Sequence, residues 1–194
     1  MKRTANLLLA LLTAFILNAQ STTVTTPSPF TKAVETILGD FPHNYKHITG
    51  ELLLAQGEWE QYASTISLPG AQSCIIARYH SVLDTTASWS AQMFSSEEFE
   101  QAAAEYKRLY QRLNQCKVRM VDGSAYYLAG EYEAASESLD FVTSTLKVKT
   151  ADERYRLFKV ELELLYKTDE WVVNINMVSK KNDSDMRPDW WTGR

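Results

Sequence analysis

The spacing of apolar residues changes repeatedly along this chain, and each change marks an element. Residues 31–38 carry Ala33, Val34, Ile37 and Leu38 at helical intervals, and Gly39 follows as a natural stop. From His47 the period shortens. Residues 48–55 are one apolar run, Gln56-Gly57 offers a turn, and 59–68 resumes a strand pattern that Pro69-Gly70 breaks. Residues 73–81 read as a third strand. Trp89, Ala91 and Met93 then alternate with Ser88, Ser90 and Gln92, as in a strand with one buried face.

The strongest helical signal covers residues 96–115. Ser95 and Glu98 have the spacing of a capping box, in which each side chain satisfies a free backbone N–H of the other's turn. Phe99, Ala103, Tyr106, Tyr110 and Leu113 recur at alternating intervals of four and three, one stripe facing a core. After it, 117–121 and 124–128 flank an Asp122-Gly123 turn, a hairpin signal. Residues 129–137 fit either a loop or a short helical turn, and 139–149 is strand-like.

Over 155–166, Phe158, Val160, Leu162, Leu164 and Tyr166 share one face while Lys159, Glu161 and Glu163 take the other. Trp171, Val173, Ile175 and Met177 alternate with Asn174 and Asn176. With 167–170 between them, these two runs predict the best-marked hairpin of the chain. The sum is an α+β fold: an antiparallel sheet of about eight strands with one long and one short helix packed on one face. Element order allows a division of 30–179 into similar halves, 30–95 and 96–179, within a single domain.

The N-terminus changes the picture. Lys2 and Arg3 precede an apolar run over 5–17 and the small residue Ala19, the order of a cleavable signal peptide spanning 1–19. That run is shorter than the roughly 20 residues that span a bilayer. Export to the periplasm or the extracellular space is expected, with no membrane span afterwards. Residues 20–29 are polar and contain two prolines, the composition of a flexible leader. In the tail, 180–194, the Trp190-Trp191 pair is expected to fold back, because two exposed indoles would leave apolar area in water.

Composition excludes little but is consistent. Hydrophobic residues make up 45% and charged residues 23%, as in ordinary globular domains. Formal charge is −4, and loss of Lys2 and Arg3 with the signal makes it −6. That balance argues against nucleic acid and against docking on anionic lipid. Cys74 and Cys116 fit either a disulfide, as an oxidising compartment allows, or two buried free thiols, one on a strand and one at a helix end.

Candidate chemistry is sparse. His43 and His47 are four apart, but Pro42 precedes them and no His-Glu-x-x-His pattern exists; a metal site would need a third ligand such as Asp40 or Asp84. His80 has Asp84 nearby in sequence, yet no Gly-x-Ser-x-Gly elbow anchors a triad with Cys74 or a serine. Glu51, Glu58, Glu60, Glu161 and Glu163 lie on expected strands, and Glu161 and Glu163 share a face that should be wet. Trp59, Trp89 and Trp171 read as core, while Tyr126, Tyr127 and Tyr132 are candidates for a binding rim. No residue is assigned a catalytic, cofactor or metal role on these grounds. The expectation is an exported binding protein for a protein partner or glycan, with homodimerisation through a sheet face as a variant. A small hydrolase assembled from distant residues, or a carrier holding an apolar ligand near Phe99, Tyr106 and Trp89, are the alternatives.

Overall fold

The computed structural model describes residues 27–80, 86–120 and 122–181. The expected signal peptide, most of the leader, Asp84, Val121 and the Trp190-Trp191 pair lie outside the described residues. Chain order is α1 (Pro29–Asp40), β1 (Thr49–Gln56), β2 (Trp59–Ser64), β3 (Ser73–Tyr79), β4 (Ala87–Ser96), α2 (Phe99–Asn114), β5 (Lys117–Arg119), β6 (Ala125–Gly130), β7 (Phe141–Val148), β8 (Phe158–Lys167) and β9 (Glu170–Ser179). One antiparallel sheet takes all nine strands, one more than expected, in the order β1-β2-β3-β4-β9-β8-β7-β6-β5. β1 to β4 form one meander and β5 to β9 another. Their last strands meet at the centre, where Trp89 faces Met177 and Ala91 faces Ile175.

α1 starts where Ser28 accepts a hydrogen bond from the Thr31 N–H at 3.1 Å, with Pro29 pre-setting the first turn. Gly39 does not stop it. The helix continues to Asp40, whose carboxylate accepts the backbone N–H groups of His47 and Ile48 and so ties the helix end to the next turn. The capping box also fails. Ser95 and Ser96 are held extended by pairing with Val172 and Trp171, so α2 begins later, with Glu98 at its cap position and no side-chain cap bond. α2 buries Ala102, Tyr106, Leu109 and Leu113, and Phe99, Ala103 and Tyr110 flank that line half-buried. Residues 131–136 are irregular rather than helical.

Both helices lie on one face of the sheet. α2 touches β4, β6, β8 and β9, and α1 touches β5. The two are joined by the Arg112 guanidinium, 3.9 Å from the centre of the Phe30 ring. Between helices and sheet the core is apolar, with Trp89, Leu109, Phe158, Leu162 and Ile175 essentially inaccessible. Its polar atoms are partnered at two key points: Tyr45 donates to the Met177 carbonyl at 2.8 Å, and the Tyr106 and Ser144 hydroxyls lie 2.6 Å apart. Burial pushes the Tyr106 phenol up to about 12. Trp89 and Trp171 are core as expected, but Trp59 is half-buried on strand β2.

Cys74 and Cys116 are both free. Cys116 is buried just past α2, where desolvation raises its thiol pKa, and Cys74 sits half-buried on β3. No helix among the described residues is long and apolar enough to cross a membrane.

Candidate functional site

Strand alternation sends every second residue of the sheet away from the helices, and at the centre of that face the side chains are polar. Register pairs Ser90 with Asn176, Asn176 with Glu161, and Glu161 with Thr145. Two residues along, it pairs Gln92 with Asn174, Asn174 with Glu163, and Glu163 with Thr143. The centre of this face therefore carries two adjacent rungs of like chemistry, each running Asn–Glu–Thr across β9, β8 and β7. Cross-strand neighbours of this kind stand about 4.5–5.5 Å apart at Cβ, close enough to interact.

The rungs are knitted together. Ser90 donates to Asn176, and Asn176 donates from Nδ2 to Glu163 at 2.6 Å. Lys180 reaches back to Glu161 at 2.7 Å, and Lys159 donates to the Lys181 carbonyl at 2.7 Å. The face was expected to be wet. Instead Lys159 is 5% exposed and Glu161 9%. Charged side chains are almost never this buried unless paired, and here the chain at 180–181 supplies both partners.

Beside the rungs opens a cleft of about 560 Å³. β6 contributes Ala129 and Gly130, the following loop Glu131 and Glu133, β7 Thr143, Thr145 and Lys147, and β8 Lys159 and Glu161. One residue of its wall stands out: the Thr143 hydroxyl is buried and has no hydrogen-bond partner among the described residues. Most buried polar atoms are satisfied, so an orphan in the wall of a cleft is an uncompensated desolvation cost beside it. Thr143→Val is expected to raise stability by about 1 kcal/mol, since it removes an unsatisfied buried group at constant volume. A melting temperature below that of the unsubstituted protein would contradict this.

Burial pushes the Glu163 carboxyl above its ordinary range; the Asn176 bond opposes this and the neighbouring Glu161 adds to it. A carboxyl raised on folding supports the fold below its unfolded pKa and weakens it as pH climbs through the folded value. Glu163→Gln is therefore expected to change little in acid and to stabilise near neutrality, by up to about 1 kcal/mol after solvent screening. Paired thermal melts at about pH 4 and about pH 7.5 test the sign. An equal effect at both would mean the carboxyl gains no proton affinity on folding.

Of the expected rim, Tyr127 is exposed on the strand face that two residues later presents Ala129 to the cleft. Tyr126 packs half-buried against the core, and Tyr132 leans on Tyr106 and Tyr110 with ring centres 5.8 and 5.0 Å away. Sequence inspection missed Phe141, 58% exposed on β7 in line with Thr143, although its place in the alternation was available.

The histidines lie elsewhere. His47 Nδ1 is 2.5 Å from Asp40, and His80 Nε2 is 2.6 Å from Glu60, not in any triad with Cys74. Hydrogen bonds from Tyr62 and then His80 hold the Glu60 carboxyl below its usual range. Neither pair lines the cleft. Glu51 is exposed on edge strand β1, and Glu58 falls in the β1–β2 turn. Phe99, Tyr106 and Trp89 do not line the cleft; Trp89 and Tyr106 are fully buried and Phe99 packs edge-on against Trp171. Among the described residues no group of three His, Cys, Asp or Glu side chains is placed to hold a metal ion. Compared with protein-family models, with curated proteins and with solved structures, the chain finds no match in any of the three.

Proposed function

We infer that this is an exported, non-enzymatic binding protein of the cell envelope, and that the polar sheet face takes a glycan. Its main support is the cleft beside the two Asn–Glu–Thr rungs, lined by carboxylates, ammonium groups and threonines together. Sugar hydroxyls both donate and accept, so a glycan site needs acceptors and donors interleaved. Glu131, Glu133 and Glu161 accept; Lys147, Lys159 and the threonines donate. Exposed Tyr127 and Phe141 on the same side offer apolar rings to the carbon faces of a sugar. The volume lies within the usual range for small-ligand sites, about 300–1,000 Å³.

Titration of the purified protein against cell-envelope polysaccharide fragments, followed by chemical shifts, tests this. Shifts should gather at Ala129, Thr143, Thr145 and Glu161, and Glu161→Gln should weaken binding about tenfold or more by replacing a charge-assisted acceptor. Shifts gathered elsewhere, or affinity unchanged in Glu161→Gln, would count against the site.

A protein partner is the second possibility, favoured by one observation. Edge strand β1 exposes Leu52, Leu53 and Leu54 at 52%, 51% and 45%. Free strand edges accept added strands, although the register shifts on either side of Leu52 blunt this one. Partner binding there should fail in Leu53→Lys while glycan binding persists.

A further inference from the structure

The loop between α1 and β1 carries a second cluster that the sheet-face site does not use. His43 and His47 sit edge to face, ring centres 4.9 Å apart, both exposed. The buried Asp40 carboxylate lies 2.5 Å from His47 Nδ1. Where the Asp40 carboxylate accepts from Nδ1, the other ring nitrogen of the exposed His47 is the one open to a ligand. This carboxylate–imidazole pairing is the one that orients histidines bound to metal ions and raises their basicity.

The backbone between the two rings is strained. Asn44 and Tyr45 both have positive φ, 52° and 56°, a conformation side chains other than glycine adopt reluctantly. The strain is held by anchors that have nothing to do with the imidazoles. Tyr45 is fully buried, its hydroxyl donates to the Met177 carbonyl at 2.8 Å, and its N–H donates to the Asp40 carbonyl at 3.1 Å. Phe41, at the start of the loop, packs on Tyr45, Tyr155 and Phe158. The core thus fixes a loop that presents two imidazoles side by side.

Their separation matches a shared ion. A zinc–nitrogen bond is about 2.0–2.1 Å, and the ring centre lies about 1.1 Å beyond the nitrogen. Two rings on one ion at ligand angles of about 90–110° therefore have centres roughly 4.5–5.2 Å apart. The observed 4.9 Å falls inside that window.

We propose that His43 and His47 form a two-imidazole site for a divalent transition-metal ion of the zinc class, with Asp40 as the positioning carboxylate of His47. Imidazole ligands suit zinc, copper and nickel rather than calcium or magnesium. With two protein ligands, the other coordination positions are open to water or to a donor from a bound partner. The site is separate from the sheet-face cleft and stands or falls without it.

Calorimetric titration of the purified protein with Zn2+ at about pH 7.5 decides the matter. One Zn2+ per chain is expected, with a rise in melting temperature on binding. His43→Ala and His47→Ala should each weaken binding about tenfold or more and cancel that rise, while His80→Ala changes neither. Both target rings are exposed, so these variants keep the fold, which the metal-free melts verify. Absence of binding at millimolar Zn2+, binding undiminished in both variants, or loss confined to one of them would each overturn the proposal. The last outcome would mean a single imidazole holding an adventitious ion.

Discussion

Gly130→Ala is expected to destabilise the protein by about 3 kcal/mol and to deform the cleft, a far larger effect than an alanine substitution on a strand end normally has. A Cβ at Gly130 would stand 2.0 Å from the Thr145 carbonyl oxygen, 2.8 Å from its carbon and 2.9 Å from the Leu146 Cα. All three are backbone atoms of β7, so no rotamer change relieves the clash, and β6 must move away from β7. That breaks the Gly130–Leu146 and Ala129–Lys147 pairings and displaces a cleft wall. The Gly130 carbonyl also accepts from Tyr110 of α2 at 2.7 Å, so the shift loosens the helix. Denaturant titration gives the stability change, and amide exchange on residues 125–130 and 141–148 locates it. A loss under about 1 kcal/mol would mean that β6 and β7 are not as close as described. Gly57→Ala serves as the comparison: its Cβ meets open space, and the cost is the conformational one of a positive φ of 60°.

Trp89→Ala should cost about 3–5 kcal/mol, the range for removing a large aromatic side chain from a packed core. Trp89 is completely buried at the middle of the sheet, flanked by Ile76 and Met177 on the neighbouring strands. Its indole N–H donates to the Ser64 hydroxyl at 2.9 Å, and that hydroxyl donates in turn to the Ile66 carbonyl at 2.7 Å. Truncation opens a cavity in the core and releases the 65–68 loop, which buries Leu68. Trp89→Phe keeps most of the volume and loses only the N–H, so it should cost about 1–2 kcal/mol. Chemical denaturation of the pair separates packing from hydrogen bonding. Equal losses in the two variants would show that the indole N–H, not the ring, carries the effect.

Much of the fold was legible because the information was local. The 155–177 hairpin alternates so regularly that its core side, Phe158, Val160, Leu162 and Leu164, is right, although Lys159 and Glu161 on the other side are buried rather than wet. Its connection is a two-residue turn in which Thr168 and Asp169 both have positive φ, without a glycine to announce it. The element ends were less legible. Gly39 and the Ser95–Glu98 spacing were outvoted by contacts from elsewhere: Asp40 bonded to the 47–48 backbone, and Ser95 paired with Val172 on β9. Local preference is worth less than a ladder bond to a strand already in place.

The candidate site was far less legible. Glu161 and Glu163 were visible as a same-face pair, and Tyr127 as a rim residue. Nothing in their neighbourhood announced that Lys180 would cross to Glu161 or that Asn176 would reach Glu163. Likewise the four-residue interval between His43 and His47 suggested a helix face, which a proline and a following strand made implausible. Two consecutive residues at positive φ bring the rings together instead.

Sequence by itself determined the α+β class, the helices and strands, and most of the apolar residues that face the core, because spacing within one element is set by the side on which that element meets apolar neighbours. Tertiary structure alone decided that the last strands of the two meanders pair at the centre, that a polar face closes into a cleft, and that Lys159 and Glu161 are buried there. Those features depend on atoms brought together from residues 90, 131, 145, 161, 176 and 180. Separations of that length leave no periodic trace, since the contacts are made between elements whose patterns each record only their own orientation.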